Sequence, residues 1–562
     1  MKNIHGSEAL IKCLVEEGVD TIFGYPGGAI MPIYDSLYSY MDKLNHILSR
    51  HEQGAIHAAQ GYSRVSGKVG VCFATSGPGA TNLITGLADA QIDSTPLLCI
   101  TGQVPSQLLG TDAFQESDII GISMPVTKWN YQITNSEEIQ SVIAKAFYIA
   151  KSGRPGPVLI DITKDAQFSD VKFDYKKCEK IRSYHPYPII DNKKINEAVK
   201  LINYSKKPLI LVGQGVLLSN AEEELLKFTE KTGIPVASTL LGLSAINCDH
   251  KNYVGYLGMH GNYGPNIKTN EADLIIAIGM RFDDRVTGDT TKYAVNAKII
   301  HIEIDPSEID KIIKTDVAIN ADAKEALMHL ISLVDKMNFN EWISEFRICD
   351  DIEYDKVIKK EIYGGNNKLT MAEVVYKLSE LTEGKSIIVT DVGQHQMVAS
   401  RYYKFKKPNS NITSGGLGTM GFALPASMGA KIGNEKREVI AIIGDGGIQM
   451  TIQELATISQ YKIGVKILIL NNNFLGMVRQ WQELFFDNRY SFTEMVNPDF
   501  NKISEGYGIK NKKLEKKENL NNVLKEFINF DGPYLLNVIV EKEGNVFPMV
   551  PSGESISNIR LE

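Results

Sequence analysis

Two stretches of 35 residues, at positions 69–103 and 439–473, follow the same pattern. Each begins with an apolar run, continues through a G-x-G turn and a segment with apolar residues at helical spacing, and ends with a second apolar run. A strand, a helix and a strand of this length predict a parallel crossover unit, because two parallel strands need a long connection between them. The repeat therefore predicts two related α/β domains, one near each end of the chain.

The C-terminal copy places polar side chains after two neighbouring strands. Residues 438–443 predict a buried strand that ends at Gly444-Asp445-Gly446, and residues 465–470 predict the next strand, which ends at Asn471-Asn472. Open α/β sheets bind ligands at the carboxyl ends of their strands, so Asp445 and Asn472 are expected side by side. Their oxygens suit a Mg²⁺ ion that holds a diphosphate. Taken singly, each motif is also an ordinary turn.

The N-terminal copy differs at one position that matters for this interpretation. Its G-x-G turn contains Pro78 where the C-terminal copy has Asp445. A proline offers no carboxylate to a metal ion. The sequence therefore predicts that only the C-terminal domain holds the diphosphate, and that the N-terminal domain has another role in the same site.

Three domains are expected from the length of 562 residues, because one core rarely grows to that size. Residues 165–192 and 337–368 are charged and lack periodicity, which favours two linkers. The expected fold class is α/β, with three domains that are each a mostly parallel sheet flanked by helices. They are placed at residues 1–170, 190–335 and 365–545, with a C-terminal tail at 546–562.

Composition argues against several classes of protein. A net charge of −7 with no long basic run disfavours a nucleic-acid partner. No run of 18 apolar residues occurs, so no membrane span is expected, and the helical pattern that begins at Ser7 leaves no room for a signal or transit peptide. The six cysteines are scattered without a C-x-x-C pair, which disfavours metal clusters and disulfides. These features predict a cytoplasmic enzyme.

The central domain has three predicted strands that end in glycine or aspartate. Residues 208–212 lead into Gly213-Gln214-Gly215, residues 272–278 lead into Gly279, and residues 297–304 lead into Asp305. A nucleotide-binding sheet has this arrangement, but Leu218 stands where the third glycine of the G-x-G-x-x-G fingerprint would be. From these residues alone, a dinucleotide-binding domain and a purely structural α/β domain both remain open.

The spacing of the GDG and NN motifs resembles that of the thiamine-diphosphate enzymes. A second element fits that class: His51-Glu52-Gln53-Gly54-Ala55 follows a short strand-like run. Enzymes of this class carry a glutamate there, against the aminopyrimidine ring of the cofactor, and the resemblance makes Glu52 the candidate. From the residue alone, a glutamate stabilised by the dipole of its helix is the alternative.

Longer motifs extend the resemblance from about residue 5 to residue 555. They are Tyr25-Pro26-Gly27-Gly28, Gly110-Thr111-Asp112-Ala113-Phe114-Gln115-Glu116, Ser152-Gly153-Arg154-Pro155-Gly156-Pro157, Gly258-Met259-His260-Gly261, Gly416-Leu417-Gly418-Thr419-Met420-Gly421 and Phe547-Pro548-Met549-Val550-Pro551. The most specific is Arg281-Phe282-Asp283-Asp284-Arg285-Val286-Thr287-Gly288. Together they resemble the catalytic large subunits of the FAD-containing biosynthetic acetolactate synthases (acetohydroxyacid synthases), in the thiamine-diphosphate enzyme family.

The resemblance implies a reaction and three cofactors. Thiamine diphosphate, Mg²⁺ and FAD would be bound, with the pyrimidine end in the N-terminal domain, FAD in the central domain, and the diphosphate and Mg²⁺ in the C-terminal domain. Pyruvate would be decarboxylated and its two-carbon hydroxyethyl unit transferred to a second pyruvate or to 2-oxobutyrate, the first common step of valine, leucine and isoleucine biosynthesis. The main alternative is a pyruvate oxidase that uses FAD and thiamine diphosphate. A non-catalytic relative is disfavoured because Glu52, Asp445 and Asn472 are all present.

The resemblance also implies site residues, each carried over from a matching motif. The catalytic positions are Glu52, Gln115, Gly28 and Lys164. The thiamine diphosphate positions are Glu52, Pro26, Gly28, Gly418, Met420, Gly444, Asp445, Gly446, Gly447, Asn472, Gly476 and Met477, and the metal ligands are Asp445, Asn472 and the carbonyl of Phe474. The FAD positions are Arg154, Gly213, Gln214, Gly215, Gly258, Met259, His260, Gly279, Arg281, Asp283, Val286, Glu303, Asp305, Asp322, Gly415 and Gly416.

Four residues are expected to contact substrate: Arg281, Trp481, Phe114 and Met259. Arg281 would bind the carboxylate of the acceptor, because a guanidinium binds a carboxylate through two hydrogen bonds. A surface salt bridge is the alternative role for this arginine. The resemblance further implies a homodimer or tetramer, a small regulatory subunit, and sites that form across the dimer interface, so that a lone chain is inactive. The tail after Phe547 is expected to close over the site as a lid.

Overall fold

The computed structural model describes residues 3–364 and 368–562. The expected first positions of the N-terminal and C-terminal domains, residues 1 and 365, lie outside the described residues. Three six-stranded sheets are present, and every pairing within them is parallel. Most of their strands are apolar and fully buried, as expected for sheets covered by helices on both faces. The predicted fold class is confirmed.

The N-terminal sheet has the strand order β3-β2-β4-β5-β7-β6, and β1 and β8 form a separate antiparallel pair. The strands are β1 (Asn3–His5), β2 (Thr21–Gly24), β3 (Asn45–Leu48), β4 (Gly70–Ala74), β5 (Leu97–Gln103), β6 (Trp129–Ile133), β7 (Pro157–Thr163) and β8 (Asp170–Lys172). The helices are α1 (Gly6–Glu16), α2 (Met31–Tyr38), α3 (Glu52–Ser66), α4 (Pro78–Thr81), α5 (Ile84–Ile92), α6 (Ile119–Ser123), α7 (Ile139–Lys151) and α8 (Lys164–Phe168).

The central sheet has the order β11-β10-β9-β12-β13-β14, so its first strand lies in the middle. This is the strand order of dinucleotide-binding folds. The strands are β9 (Pro208–Val212), β10 (Val236–Ser238), β11 (Tyr253–Tyr256), β12 (Leu274–Ile278), β13 (Lys298–Glu303) and β14 (Val317–Asn320). The helices are α9 (Asn192–Tyr204), α10 (Gln214–Leu218), α11 (Glu222–Thr232), α12 (Tyr263–Glu271), α13 (Asp284–Thr287) and α14 (Ala323–Leu333).

The segment that the sequence predicts as a second linker, residues 337–368, is mostly helical. It contains α15 (Asn340–Glu353), a π-helical turn (Tyr354–Ile358) and α16 (Lys359–Tyr363). The prediction of an irregular linker is therefore wrong for residues 340–363. Buried side chains recur every three or four positions at Trp342, Phe346 and Cys349, and the many charged neighbours obscure this spacing in the sequence.

The C-terminal sheet has the order β16-β15-β17-β18-β20-β19. The strands are β15 (Ile387–Thr390), β16 (Asn411–Thr413), β17 (Val439–Gly444), β18 (Lys466–Asn471), β19 (Lys510–Leu514) and β20 (Tyr534–Ile539). The helices are α17 (Met371–Leu381), α18 (Gln394–Tyr402), α19 (Ala423–Gly433), α20 (Asp445–Met450), α21 (Leu455–Gln460), α22 (Gly476–Phe485), α23 (Phe500–Gly506) and α24 (Leu520–Asn529). When the six strands of each sheet are numbered in chain order, both the N-terminal and the C-terminal sheet have the order 2-1-3-4-6-5. This shared topology confirms that the two domains are related.

The first predicted linker, residues 165–192, is partly incorporated into the N-terminal domain. Its start contains most of α8 and all of β8, which pairs with β1 at the N-terminus of the chain. Among the described residues, no helix combines the length and the apolar character that crossing a membrane requires. The six cysteines are free thiols.

Helices α3 and α19 join the two terminal domains through their backbones. A Cβ atom on Gly61 would lie 1.9 Å from the carbonyl oxygen of Ala426, and one on Gly429 would lie 1.7 Å from that of Ala58. Because any larger residue would collide with main-chain atoms, glycine is required at both positions. The two terminal domains share one hydrophobic core as a result.

Glu454 adds a polar contact to this interface. Its carboxylate accepts hydrogen bonds from the backbone N–H groups of Arg50 (3.0 Å) and His51 (3.1 Å), the residues that immediately precede α3. Thr457 donates a further bond of 2.8 Å. Burial nevertheless raises the pKa of Glu454 to about 7. This carboxylate therefore resists ionisation in the folded chain.

Replacing Glu454 with glutamine is expected to change how stability depends on pH. Between the ordinary pKa of 4.5 and the folded value of about 7, the unfolded chain has released a proton that the folded chain keeps. Stability from this site therefore falls as pH rises through that range, by at most about 3 kcal/mol. Glu454→Gln does not titrate, so its melting temperature relative to wild type should rise over the same range. Calorimetry at several pH values would measure this, and a pH-independent difference would contradict it.

Candidate functional site

The turn predicted to hold a diphosphate lies at the carboxyl edge of the C-terminal sheet. Strand β17 ends at Gly444, helix α20 begins at Asp445, and the neighbouring strand β18 ends at Asn471. The backbone N–H of Asn473 donates to Oδ2 of Asp445 over 2.7 Å. The two motifs are therefore in direct contact, as the crossover pattern predicts.

Three glycines of this site leave no space for a side chain. A Cβ atom on Gly444 would lie 2.8 Å from the ring of His395, and one on Gly447 would lie 2.8 Å from Oδ1 of Asp391. A Cβ atom on Gly476 would lie 2.1 Å from Oε1 of Gln394. The backbone at this edge is therefore packed directly against polar side chains.

His395 is a site residue that the sequence analysis missed. It lies in the first turn of α18, after strand β15, at the same edge of the sheet. Burial lowers the pKa of its ring to about 3, so the imidazole is neutral, and its Nε2 atom is buried without a hydrogen-bond partner among the described residues. A buried nitrogen without a partner, on a ring that packs against Gly444, fits a polar ligand bound near this turn. Its position just after a strand of the same sheet was the available signal.

Asn497 is a second residue that was missed. Its Nδ2 atom lies 2.7 Å from Oδ2 of Asp445, 3.0 Å from Oδ1 of Asn471 and 2.8 Å from Oδ1 of Asn473. It lies in the connection between α22 and α23, where no motif marks it. Only the folded chain brings it to the turn.

The three expected metal ligands lie together, but they form a sparse donor set. Asn472 Oδ1 accepts a bond of 3.2 Å from the N–H of Phe474, and burial raises the pKa of Asp445 to about 6. Within the described residues, no group of three or more His, Cys, Asp or Glu side chains could hold a metal ion. One carboxylate with amide and carbonyl oxygens fits Mg²⁺ only when phosphate oxygens and water complete its shell.

The expected residues of the N-terminal domain gather at the carboxyl edge of their own sheet. Glu52 is the first residue of α3, and its Oε2 accepts a bond of 3.0 Å from Asn82. Thr75 accepts a bond of 3.2 Å from the N–H of Ala29, next to Gly28, and thereby fixes the loop that contains Pro26. Oε1 of Glu52 lies within 3.2 Å of the position that a Cβ atom on Gly79 would occupy. The loop and the glutamate therefore border one surface.

Gln115, Phe114 and Lys164 lie at the same end of this sheet. The backbone of Gln115 packs against Gly77, whose Cβ atom would lie 2.8 Å from the Gln115 carbonyl oxygen. Phe114 is 87% exposed, and Lys164 follows the last residue of β7. Among the described residues, no hydrogen bond joins Glu52 to the Gly444–Gly447 turn, and the carboxylate of Glu52 accepts one from Asn82 only. Glu52 and the Gly444–Gly447 turn are therefore not joined by a direct hydrogen bond among the described residues.

A cavity of about 860 Å³ lies where the three domains meet. The expected FAD residues that line it are Arg154, Gly213, Gln214, Gly215, Gly258, Met259, His260, Gly279, Arg281, Asp283, Val286, Glu303, Asp322, Gly415 and Gly416. Asp305 lines an adjoining cavity and forms an ion pair of 3.1 Å with Arg154. The structure thus gathers residues from all three domains that the sequence placed far apart.

The cavity borders the central sheet at the point where the strand order of that sheet reverses. Strands β9 and β12 are neighbours, and a Cβ atom on Gly213 would lie 2.1 Å from the carbonyl oxygen of Gly279. Gly279 has φ of +55°, which favours glycine. Burial raises the pKa of Glu303, at the end of β13, to about 7. Nucleotides bind at such a reversal point in sheets of this order.

The Gly258–Gly261 turn of this cavity is held by a buried ion pair. Arg401 donates to the carbonyl oxygens of His260 (2.7 Å) and Gly261 (3.2 Å), and it pairs with Glu353; both charged side chains are 1% exposed. Arg401 belongs to the C-terminal domain, and Glu353 ends α15. This pair could not be predicted from the sequence patterns, because Glu353 lies in the segment 337–368 that they predict as a linker.

Arg281, Trp481 and Met259 line the same cavity. No hydrogen bond or ion pair with the described residues engages the Arg281 guanidinium, so the structure gives no support to the salt-bridge alternative. The chain continues beyond Phe547 in contact with this region, since the N–H of Val550 donates to the carbonyl oxygen of Met259 over 2.8 Å. Met549 is fully buried. The tail is therefore packed on the cavity wall.

Comparison with known proteins gives matches over most of the chain. Residues 4–122, 195–330 and 391–538 match the N-terminal TPP binding domain, the central domain and the C-terminal TPP binding domain of thiamine pyrophosphate enzymes. The acetolactate synthase large subunit of Lactococcus lactis is 45% identical over 98% of this chain and 95% of that protein. The large subunit of Corynebacterium glutamicum is 46% identical over 99% of this chain and 90% of that protein. The large subunit of Haemophilus influenzae is 41% identical over 100% of this chain and 99% of that protein. These names favour the acetolactate synthase resemblance over the oxidase alternative.

Replacing Gly213 with alanine is expected to disrupt the cavity. The added Cβ atom must displace the main chain at Gly279, and overpacking of this kind costs about 1–3 kcal/mol. We expect a lower melting temperature and FAD binding weakened at least about tenfold. Gly506→Ala is the matched control, because open space surrounds its Cβ position and alanine favours the helix. Unchanged FAD affinity in Gly213→Ala would contradict the prediction that FAD binds in this cavity.

Proposed function

The chain belongs to the acetolactate synthase large subunits of the thiamine pyrophosphate enzyme family, and from this premise we propose the reaction that it catalyses. It decarboxylates pyruvate and transfers the two-carbon unit to a second pyruvate, which gives 2-acetolactate, or to 2-oxobutyrate, which gives 2-aceto-2-hydroxybutyrate. This would be the first common step of branched-chain amino-acid biosynthesis. The observation that carries the proposal is the pairing of Asp445 with the Asn471–Asn473 turn in a chain that retains Glu52.

We assign each end of thiamine diphosphate to one domain. When bound, this cofactor supplies a carbon nucleophile and an electron sink for decarboxylation. Asp445, Asn472 and the Phe474 carbonyl would hold Mg²⁺, and the backbone at Gly444, Gly446, Gly447, Gly476 and Met477 would border the diphosphate. The unpartnered nitrogen of His395 at the same edge of the sheet supports this fit. Gly418 and Met420 would border the thiazolium ring.

Glu52 would exchange a proton with the aminopyrimidine ring. Its Oε2 atom is fixed by Asn82, and its Oε1 atom accepts no hydrogen bond from the described residues. One oxygen is therefore oriented while the other is available to a ring nitrogen. The residue is half-buried at the carboxyl edge of its sheet.

The acceptor substrate would bind through a cation and an apolar wall. Arg281 would bind its carboxylate, because Arg281 lines the cavity and its guanidinium has no hydrogen-bond or ion-pair partner among the described residues. Trp481 and Met259 would contact its alkyl group, and the extra methylene of 2-oxobutyrate would contribute about 0.8 kcal/mol when buried. Phe114, Gln115 and Lys164 would line the path to this site.

FAD would be a structural component of the enzyme. Pyruvate and its acceptor give one product and CO₂ with no net oxidation, so the flavin has no electrons to carry in the balanced reaction. Support for its binding comes from the cavity of about 860 Å³ and from the dinucleotide-type strand order of the central sheet. The central domain, residues 190–335, would supply most of the contacts, and residues 1–170 and 365–545 would supply the remainder.

A homodimer, or a tetramer built from it, would complete the catalytic site. Support comes from the absence of a hydrogen bond between Glu52 and the diphosphate turn within the described residues, and from large apolar side chains exposed on both terminal domains. These are Tyr25, Met31, Phe114, Met124, Leu417, Met450, Val478 and Phe492. The relatives are large subunits, which supports a small regulatory subunit as a further partner. A cytoplasmic location would fit the six free cysteines.

Product analysis tests the proposed reaction. Protein supplied with pyruvate, thiamine diphosphate, Mg²⁺ and FAD is expected to form 2-acetolactate. Glu52→Gln removes the carboxylate that exchanges the proton, so its rate should fall by about 10²–10⁴-fold. Acetyl phosphate or bleaching of the flavin would instead indicate an oxidase, and unchanged turnover in Glu52→Gln would remove this residue from the mechanism.

Mixing two inactive variants tests the shared site. If Glu52 of one chain and Asp445 of another form each site, a mixed dimer of Glu52→Gln and Asp445→Ala chains has one intact site and one doubly altered site. Dissociation and reassociation of equal amounts should restore about a quarter of wild-type activity, because half of the dimers are mixed. Each variant treated alone is the control. No recovery in the mixture, with dimers present, would place both residues in a site within one chain.

A further inference from the structure

The segment Ser414–Gly421 borders both proposed cofactor sites. It follows the edge strand β16 and precedes α19. Ser414, Gly415, Gly416, Leu417 and Gly418 line the cavity assigned to FAD. Met420, two residues further on, reaches the diphosphate turn, since its Cε atom lies 3.5 Å from the position that a Cβ atom on Gly446 would occupy. We call this segment the shared loop.

Asp93 of the N-terminal domain holds the start of the shared loop. Its Oδ2 accepts the backbone N–H of Gly415 and its Oδ1 accepts that of Gly416, each over 2.8 Å. The residue follows the last turn of α5 and is 1% exposed. Both carboxylate oxygens of Asp93 therefore accept hydrogen bonds from the backbone of two consecutive glycines. These glycines have no side chain that could restrict their own backbone.

Asp89, one helical turn earlier, holds the polar side chains of the shared loop. Its Oδ1 accepts hydrogen bonds from the hydroxyl of Ser414 and from that of Thr419, the latter over 3.2 Å. The N–H of Thr419 in turn donates to the Ser414 hydroxyl over 2.8 Å. At the far end, the N–H of Gly421 donates to Asp391 over 2.9 Å. Gly416–Gly418 remain exposed between these fixed points.

Arg64 completes the cluster from helix α3. It forms an ion pair of 3.0 Å with Asp93 and donates 2.6 Å to the carbonyl oxygen of Thr413, directly before the loop. Its side chain is 7% exposed. In this cluster of described residues, Arg64 is thus the one buried cation beside the two buried carboxylates Asp89 and Asp93. Burial raises the pKa values of both carboxylates. Such clusters contribute little net stability, so their main effect is to fix geometry.

We propose that Asp93, with Asp89 and Arg64, is a positioning residue that holds the shared loop in its binding geometry before either cofactor arrives. This rests on the proposed function, since it concerns the two cofactors assigned there. In the wild-type chain each cofactor meets an ordered loop and binds independently of the other. Without Asp93 the first cofactor to bind must order the loop, and the second then binds without that cost.

Asp93→Asn is the first test, measured by calorimetric titration of apoprotein with FAD and with thiamine diphosphate plus Mg²⁺. In this variant the amide nitrogen of asparagine would face a backbone N–H instead of accepting from it, and the ion pair between residue 93 and Arg64 would be lost. Each Kd measured alone is expected to rise at least about tenfold. Saturating FAD should then bring the Kd for thiamine diphosphate back towards the wild-type value, whereas in wild type it should change that Kd less than about threefold.

Asp161→Asn is the matched control, because Asp161 is a fully buried carboxylate of the same domain that bonds Thr101, Gln103 and Gln132 and not the loop. It should leave both Kd values unchanged. Ser414→Ala, a smaller change in the loop itself, should reproduce the mutual dependence if Asp93→Asn does not fold.

The outcomes separate the two proposals. Equal weakening of both cofactors without mutual dependence would mean that Asp93 is merely structural, and Kd values like those of wild type would mean that it has no role in the loop. Either result would overturn the inference while the proposed function stands. A wild-type chain that binds neither cofactor would overturn both.

Discussion

The backbone contact between α3 and α19 is the constraint on which the rest of the structure depends. Gly61 and Gly429 allow the two helices to touch along their main chains, which fixes their relative position with little freedom. The proposed functional groups lie at the starts of these helices. Glu52 begins α3, and the Ser414–Gly421 loop leads into α19. A side chain at either glycine would therefore displace a proposed catalytic group and a cofactor loop together.

The walls of the cavity between the three domains, where we propose that FAD binds, are held by charged side chains from neighbouring domains. The Gly258–Gly261 turn of the central domain is bonded by Arg401 of the C-terminal domain, and the loop at Gly415 of the C-terminal domain is bonded by Asp93 of the N-terminal domain. These parts of the cavity wall are therefore held in place by side chains of a different domain. The binding surface exists only when all three domains have docked, which links the presence of the cavity to the integrity of the whole chain.

The sheets and the contact between the GDG and NN motifs could be predicted because their signals are local. Apolar runs such as residues 208–212 are buried parallel strands, and the GDG and NN motifs follow two of them. The helices α15 and α16 were missed because charged residues mask a narrow buried face. Asn497, His395, Asp93 and Arg401 were missed for a different reason: each acts on a segment distant in sequence, and polar side chains carry no periodic signal that names their partners. The roles of the site residues remain predictions.

The same helix contact has a cost during synthesis. Gly61 packs against Ala426, which the ribosome adds several hundred residues later. At about 5–20 residues per second, the N-terminal domain waits roughly 20–70 s with the small-residue face of α3 uncovered. Its own sheet can form within that time, but its core remains open on one side until α19 emerges. A nascent chain of this length is therefore exposed to chaperones and to aggregation for most of its translation.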